Sequence, residues 1–249
     1  MHRSAVRPSP VFLGLLALTV VAGYLTTIDS DAVSRAGVVL LVLGGWAVSL
    51  CVHEFGHAIV AYKGGDWTIP DKGYLSLDPR RYTDPVLSLL LPILFLLIGG
   101  LPLPGGAVWI NQSALRSRAV ASRVSLAGPL SNLVIGILLL TAVTLIPDMD
   151  LTLLAGLSFL ALLQFAAFVL NILPVPGLDG WGAIEPYLSH EARVFGAQAR
   201  MWAPLVLLAV LFLPGVGAVF WDVVISLYGA VGGDDFAAAI GQGLFFFWR

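Results

Sequence analysis

The chain has 249 residues, of which 58% are hydrophobic and 11% charged, with a formal net charge of -2. Soluble domains carry about 25% charged residues, so this composition belongs to a membrane protein, and the near-neutral charge gives no support for nucleic-acid binding. The single cysteine, Cys51, excludes an internal disulfide framework and any Cys-based zinc cluster.

A bilayer takes about 20 apolar residues to span, and the first candidate is 11–27, preceded by Arg3 and Arg7. A secretory signal peptide is the competing reading. The apolar run is longer than the usual signal core and no small-x-small cleavage site follows, so it reads as a retained first helix with a cytoplasmic N-terminus. The second candidate, 36–62, contains His53-Glu54-Phe55-Gly56-His57. Helical spacing of i and i+4 puts both imidazoles on one face, where they can grip one Zn²⁺, and Glu54 lies beside them, positioned to accept a proton from water. Ionisable groups are costly in an apolar span and mark function there. Cys51, two residues from His53, reads as a buried apolar thiol pointing away from that face.

The segment 86–101 is short and holds Pro92. Lys63, Lys72, Arg80 and Arg81 precede it, and Arg116, Arg118 and Arg123 follow, so it is expected to enter and leave on one side as a re-entrant excursion. The run Ala107-Val108-Trp109-Ile110-Asn111 has strand composition and predicts a short β edge able to receive an extended peptide. Segments 124–146 and 151–173 form an out-and-back pair turning at Pro147-Asp148-Met149-Asp150. A further span is expected at 203–221, after Arg193 and Arg200. The stretch 223–248, interrupted by Asp234 and Asp235, reads as an interfacial helix or a broken seventh element.

A catalytic zinc site takes three protein ligands and one open position. Beyond the motif the chain has only His2 and His190 as further histidines, and His190 lies among solvated charges, so a carboxylate is expected as third ligand. Asp179 is the candidate, in the run Asn171-Ile172-Leu173-Pro174-Val175-Pro176-Gly177-Leu178-Asp179-Gly180, whose prolines and glycines unwind the end of a helix. Positive-inside topology sets His57 and Asp179 at similar depth toward the cytoplasm. Asn171 can serve the site or simply tie helices together. Ala127-Gly128-Pro129 reads as close helix packing.

On His53 through His57, Asn171 through Gly180, Ala127-Gly128-Pro129-Leu130-Ser131-Asn132 and Gly73-Tyr74-Leu75-Ser76-Leu77-Asp78-Pro79 with Asp84-Pro85, the chain resembles the site-2 proteases, intramembrane zinc metalloproteases of peptidase family M50, in their compact branch. The matching segments run from the second helix to Gly180. The resemblance implies that His53, His57 and Asp179 bind one Zn²⁺ and that Glu54 is the general base. It further implies that Asn171 holds substrate or stabilises the oxyanion, and that Asn132 supports the fold around the site. The substrate implied is the transmembrane segment of another membrane protein, cut near the cytoplasmic side. Many members carry a PDZ domain or a CBS pair, but no soluble segment here approaches domain size.

The expected architecture is a single all-α polytopic membrane domain over 1–249 with a catalytic core at 36–182. It has about six transmembrane helices, a re-entrant segment and a short β element near the active site. Its partners are the lipid bilayer and a transmembrane substrate, not nucleic acid; the location is a prokaryotic plasma membrane, and the oligomeric state stays open. Three alternatives are a membrane metallohydrolase of a lipid or small molecule, an inert client-binding scaffold, and a transporter, the last weakened by the lack of repeated halves.

Overall fold

The structure, a computed structural model, describes residues 6–82, 108–213 and 215–248. Helix α1 (Pro10–Thr26) starts at Ser9, whose hydroxyl oxygen accepts the Phe12 amide, with Pro10 in the first turn where a missing N–H is harmless. The Ser9 amide donates to the Ser76 carbonyl (2.8 Å), so α1 begins beside the loop that follows α2 (Asp31–Gly64) and packs antiparallel to it.

Helices α2, α3 (Arg118–Leu145) and α4 (Leu151–Ile172), of 34, 28 and 22 residues, are long and apolar enough to cross a membrane. Helix α3 starts ahead of the apolar run because Ser117 caps it through the Val120 amide. Helix α4 starts where Asp150 accepts the amides of Thr152 and Leu153, which closes the turn after α3. The short helix α5 (Asp179–Ile184) follows the Pro174–Gly177 break, and α6 (His190–Ala199) and α7 (Ala203–Leu211) meet at 70°, making a fourth possible span if counted as one broken element.

The expected single span at 203–221 is not formed. Helix α7 ends at Leu211, and α8 (Val216–Ala230) begins after Gly215 at φ +88°. The Pro214-Gly215 pair is the physical reason: proline cannot extend the preceding ladder, and glycine alone enters the left-handed region freely. The stretch 223–248 likewise divides between the end of α8 and α9 (Asp235–Phe245), which Asp234 caps.

The expected β element is not found among the described residues. No strand occurs among them, and the stretch from Val108 to Asn111 pairs with no strand among them. Its backbone groups are taken by side chains instead, as described below. The expected re-entrant segment 86–101 and Ala107 lie outside the described residues.

Helix α4 is the centre of the bundle. Its Phe159, Leu163 and Ala167 meet Val38, Val42 and Trp46 of α2 together with Phe245 and Phe246. Its opposite side, with Phe165, Ala166 and Val169, meets Leu140 of α3, Val224 and Tyr228 of α8, and Ala238 of α9. Outward faces stay apolar, as at Leu130, Val134 and Leu138 of α3, which is what lipid contact requires and water would not favour.

Candidate metal centre

His53 and His57 stand one turn apart on α2, and Asp179 is the first residue of α5. The break ahead of α5 turns this carboxylate back toward the two rings. His53 Nε2 and His57 Nε2 are 3.1 Å apart, with His53 Nε2 3.2 Å from Asp179 Oδ2 and His57 Nε2 3.3 Å from Asp179 Oδ1. Ligand distances of about 2.0–2.1 Å in a tetrahedral zinc site give ligand–ligand edges of about 3.3 Å. The triangle therefore has the size of one face of a zinc tetrahedron, and among the described residues it is the one cluster of His, Cys, Asp or Glu able to hold a metal. Both histidines are buried, whereas Asp179 is partly open to a cavity of about 270 Å³ lined by Ser125, Trp181, Glu185 and Arg200.

Each imidazole is oriented through its second nitrogen. His57 Nδ1 donates to the Val124 carbonyl on α3 (2.7 Å), and His53 Nδ1 pairs with Asn132 Oδ1, further along the same helix. An acceptor facing Nδ1 fixes the proton there and leaves the Nε2 lone pair for a metal. Pro129 lies inside α3 between these two contacts, where it interrupts the backbone ladder.

Gly128 is what lets α3 come this close. A Cβ there would fall on the Nε2 atoms of both histidines. Sequence reasoning assigned this glycine to helix packing; the structure adds that it makes room for the metal donors. A glycine next to a helix-interior proline was the available signal.

Glu54 is buried beside the pair, and its Oε2 accepts the Val108 amide (3.1 Å). Its Oε1 has no hydrogen-bond partner among the described residues. The stretch holding Val108 is anchored from its other side. Lys72 Nζ donates to the Trp109 carbonyl (2.8 Å) and lies 5.0 Å from the Trp109 ring centroid, and Asp66 Oδ2 accepts the Asn111 amide (2.8 Å). Asp66 Oδ1 accepts both the amide and the hydroxyl of Thr68.

Burial acts to raise the Asp66 carboxyl, but the Thr68 hydroxyl, the Asn111 and Thr68 amides and the Lys72 charge together hold it below its ordinary value. A carboxyl depressed in the folded state contributes stability that is fully present above about pH 4, its unfolded range, and is lost as pH falls through the lower folded value. The anchor is therefore complete at neutral pH. Asp66→Asn at pH 7 replaces one accepting oxygen by a donor, and faster hydrogen exchange at the Asn111 amide is expected. Unchanged exchange there would mean the anchor is not needed to hold this stretch.

Asn171 is buried in the last turn of α4, and its Nδ2 donates to the Ala167 carbonyl one turn back (3.0 Å). No hydrogen bond joins it to His53, Glu54, His57 or Asp179 among the described residues. His190 is exposed at the start of α6, and Cys51 is buried against Phe12 and Leu77.

Comparison with known proteins agrees with this geometry. The chain is 48% identical over 99% of its length to the Mycobacterium tuberculosis protein named "Putative zinc metalloprotease Rip2", covering 96% of that protein. It is 42% identical to the Mycolicibacterium smegmatis protein of the same name, with the same two coverages. The Bacillus subtilis protein named "Putative zinc metalloprotease YwhC" is 30% identical over 74% of this chain and 89% of its own. No family model and no solved structure matches the chain. Near-complete coverage at these identities, with a zinc-sized donor triangle beside a buried glutamate, places the chain in the family of zinc metalloproteases to which Rip2 and YwhC belong.

Proposed function

We propose that this chain is a zinc-dependent intramembrane endopeptidase of the site-2 type, cutting transmembrane segments of other membrane proteins near the cytoplasmic side. The observation that carries the reading is where the donor set sits. Its histidines lie on α2, a helix able to span a bilayer, with Glu54 between them and Asp179 brought in by a broken helix end. The basic residues Lys63, Arg116, Arg118 and Arg123 flank the ends of α2 and α3 nearest the site, and the positive-inside rule makes that end cytoplasmic. On this reading the chain crosses a prokaryotic plasma membrane about six times as one domain, with its N-terminus in the cytoplasm.

His53, His57 and Asp179 would hold the ion; the donor set, two imidazoles and one carboxylate, suits zinc. When bound, zinc supplies Lewis-acid polarisation of the scissile carbonyl and a water acidic enough to react at neutral pH. Glu54 Oε1 would take a proton from the attacking water and pass it to the leaving amine, while the Val108 amide keeps the carboxylate turned toward the site. The Val124 carbonyl and Asn132 hold the ring tautomers. The cavity beside Asp179 gives water a route to the site. Asn171, in the last turn of α4 just ahead of the break, would contact the substrate backbone once its bond to the Ala167 carbonyl opens. The substrate helix has to unwind for its peptide bond to be reached, so segments with helix-breaking residues are preferred.

The test uses the zinc-loaded chain in liposomes with paired single-pass substrates, with and without a Gly-Pro pair in the transmembrane segment. Cleavage confined to the Gly-Pro members, lost with a chelator and regained with zinc, is the expected result. Turnover of a phospholipid or soluble ester with no cut transmembrane segment would instead make it a different membrane metallohydrolase. Zinc at one per chain with no turnover of any kind would make it a scaffold.

A further inference from the structure

The geometry points to Gln164 as a positioning residue for the metal centre, acting through Asn132 on His53. Gln164 lies at the middle of α4, fully buried, and its side-chain hydrogen bonds go to Ser49 and Asn132 and not to a candidate metal donor. Its two ends join residues on two other helices. Gln164 Nε2 donates to Ser49 Oγ on α2 (3.1 Å), and Gln164 Oε1 accepts Asn132 Nδ2 on α3 (2.8 Å).

The direction of this chain follows from its far end. The Ser49 hydroxyl donates to the Trp46 carbonyl (2.8 Å), so its oxygen is left as an acceptor and Gln164 must turn Nε2 toward it. Oε1 then faces Asn132 and accepts from Nδ2. Asn132 is thereby obliged to present Oδ1, not Nδ2, to His53 Nδ1. An oxygen at that position holds the imidazole proton on Nδ1 and leaves Nε2 bare, as metal binding requires.

The two histidines differ in their need for such a device. His57 is fixed by the Val124 main-chain carbonyl, which has only an oxygen to offer. His53 is fixed by a side-chain amide, whose oxygen and nitrogen exchange places on a half-turn. A reversed Asn132 would present N–H to Nδ1 and drive the proton onto Nε2, the nitrogen that must coordinate. Gln164, itself held by Ser49, removes that freedom. A polar tie serving only to join helices would work in either orientation and need not end on a metal ligand.

This inference rests on the zinc reading, and its test reads metal affinity directly. Zinc affinity would be measured by chelator competition on the full chain and on Gln164→Leu, Gln164→Glu, Asn132→Leu and the Asn132→Leu/Gln164→Leu double variant, with thermal unfolding of each zinc-free protein. Partners one step removed from a ligand typically change metal affinity by about 10–100-fold. Gln164→Leu is expected to weaken zinc binding about tenfold, and Asn132→Leu at least as much. Gln164→Glu stays near the native chain, since either protonation state offers Asn132 an oxygen. The double variant should be no weaker than Asn132→Leu alone, because Gln164 acts through Asn132. Native affinity in Gln164→Leu, or a further full loss in the double variant, would overturn the assignment. If Gln164→Leu does not fold, Ser49→Ala, which releases Nε2, carries the same test: several-fold weaker zinc supports it and unchanged affinity overturns it. A native chain that binds no zinc overturns both this inference and the zinc reading, whereas tight zinc with an insensitive Gln164 overturns this inference alone.

Discussion

Glu54→Gln is expected to lower the cleavage rate by about 10²–10⁴ while leaving zinc bound at one per chain. The substitution keeps shape and volume, and the glutamine oxygen can still accept the Val108 amide that now reaches Oε2. What it removes is the basic oxygen, because an amide cannot take up a proton at neutral pH. Glu54 is not one of the three donors, so affinity for the ion should hardly move. Single-turnover cleavage of a Gly-Pro transmembrane substrate in liposomes, with zinc quantified in the same sample, separates the two effects. A variant that cuts within tenfold of the native rate would exclude Glu54 as the base. A variant that loses both zinc and cleavage would show that Glu54 shapes the metal site instead.

The second large effect is expected from one added methyl group. Gly128→Ala should leave the purified protein without zinc, and so without activity, although alanine is the better helix former. The new Cβ would occupy the space of the His53 and His57 Nε2 atoms. Neither neighbour yields easily. The imidazoles are held through Nδ1 by Val124 and Asn132, and α3 is pressed against α2 where the position of a Cβ on Gly56 is 2.9 Å from the Ala127 carbonyl oxygen. Retreat of α3 would break the contacts that orient both rings. Gly14→Ala on α1, where nothing lies within 4 Å of an added Cβ, is the matched control and should keep its zinc. Metal content of the two proteins, by elemental analysis after dialysis, decides the matter. Full zinc in Gly128→Ala would mean that the helices can separate without losing the site.

The features legible in the chain were those set by local geometry. Two histidines four residues apart lie on one face of any helix, and Glu54 follows between them, so half of the candidate centre required nothing beyond helical periodicity. Asp179 was legible because prolines and glycines announce a helix break, and the spacing of basic residues put that break near His57. The turn before α4 was legible for the same kind of reason, since Asp150 is a ready cap. The division of 203–221 was readable too, from Pro214-Gly215, although hydropathy alone joined the pieces.

Partners on different helices depend on rotation and depth, and in this chain little in the sequence specifies either. Helices α3 and α4 are apolar around most of their circumference, so they lack the polar stripe that tells which face turns inward in a soluble bundle. Close approach of small residues sets their register instead, and that is a property of surfaces meeting. Hence only the tertiary structure could show that Asn132 meets His53, that the Val124 carbonyl meets His57, and that Gln164 links the two neighbouring helices. It also decided the fate of Val108 to Asn111. The strand composition was real, but Glu54, Lys72 and Asp66 supply from three separate places the hydrogen bonds that a neighbouring strand would have given.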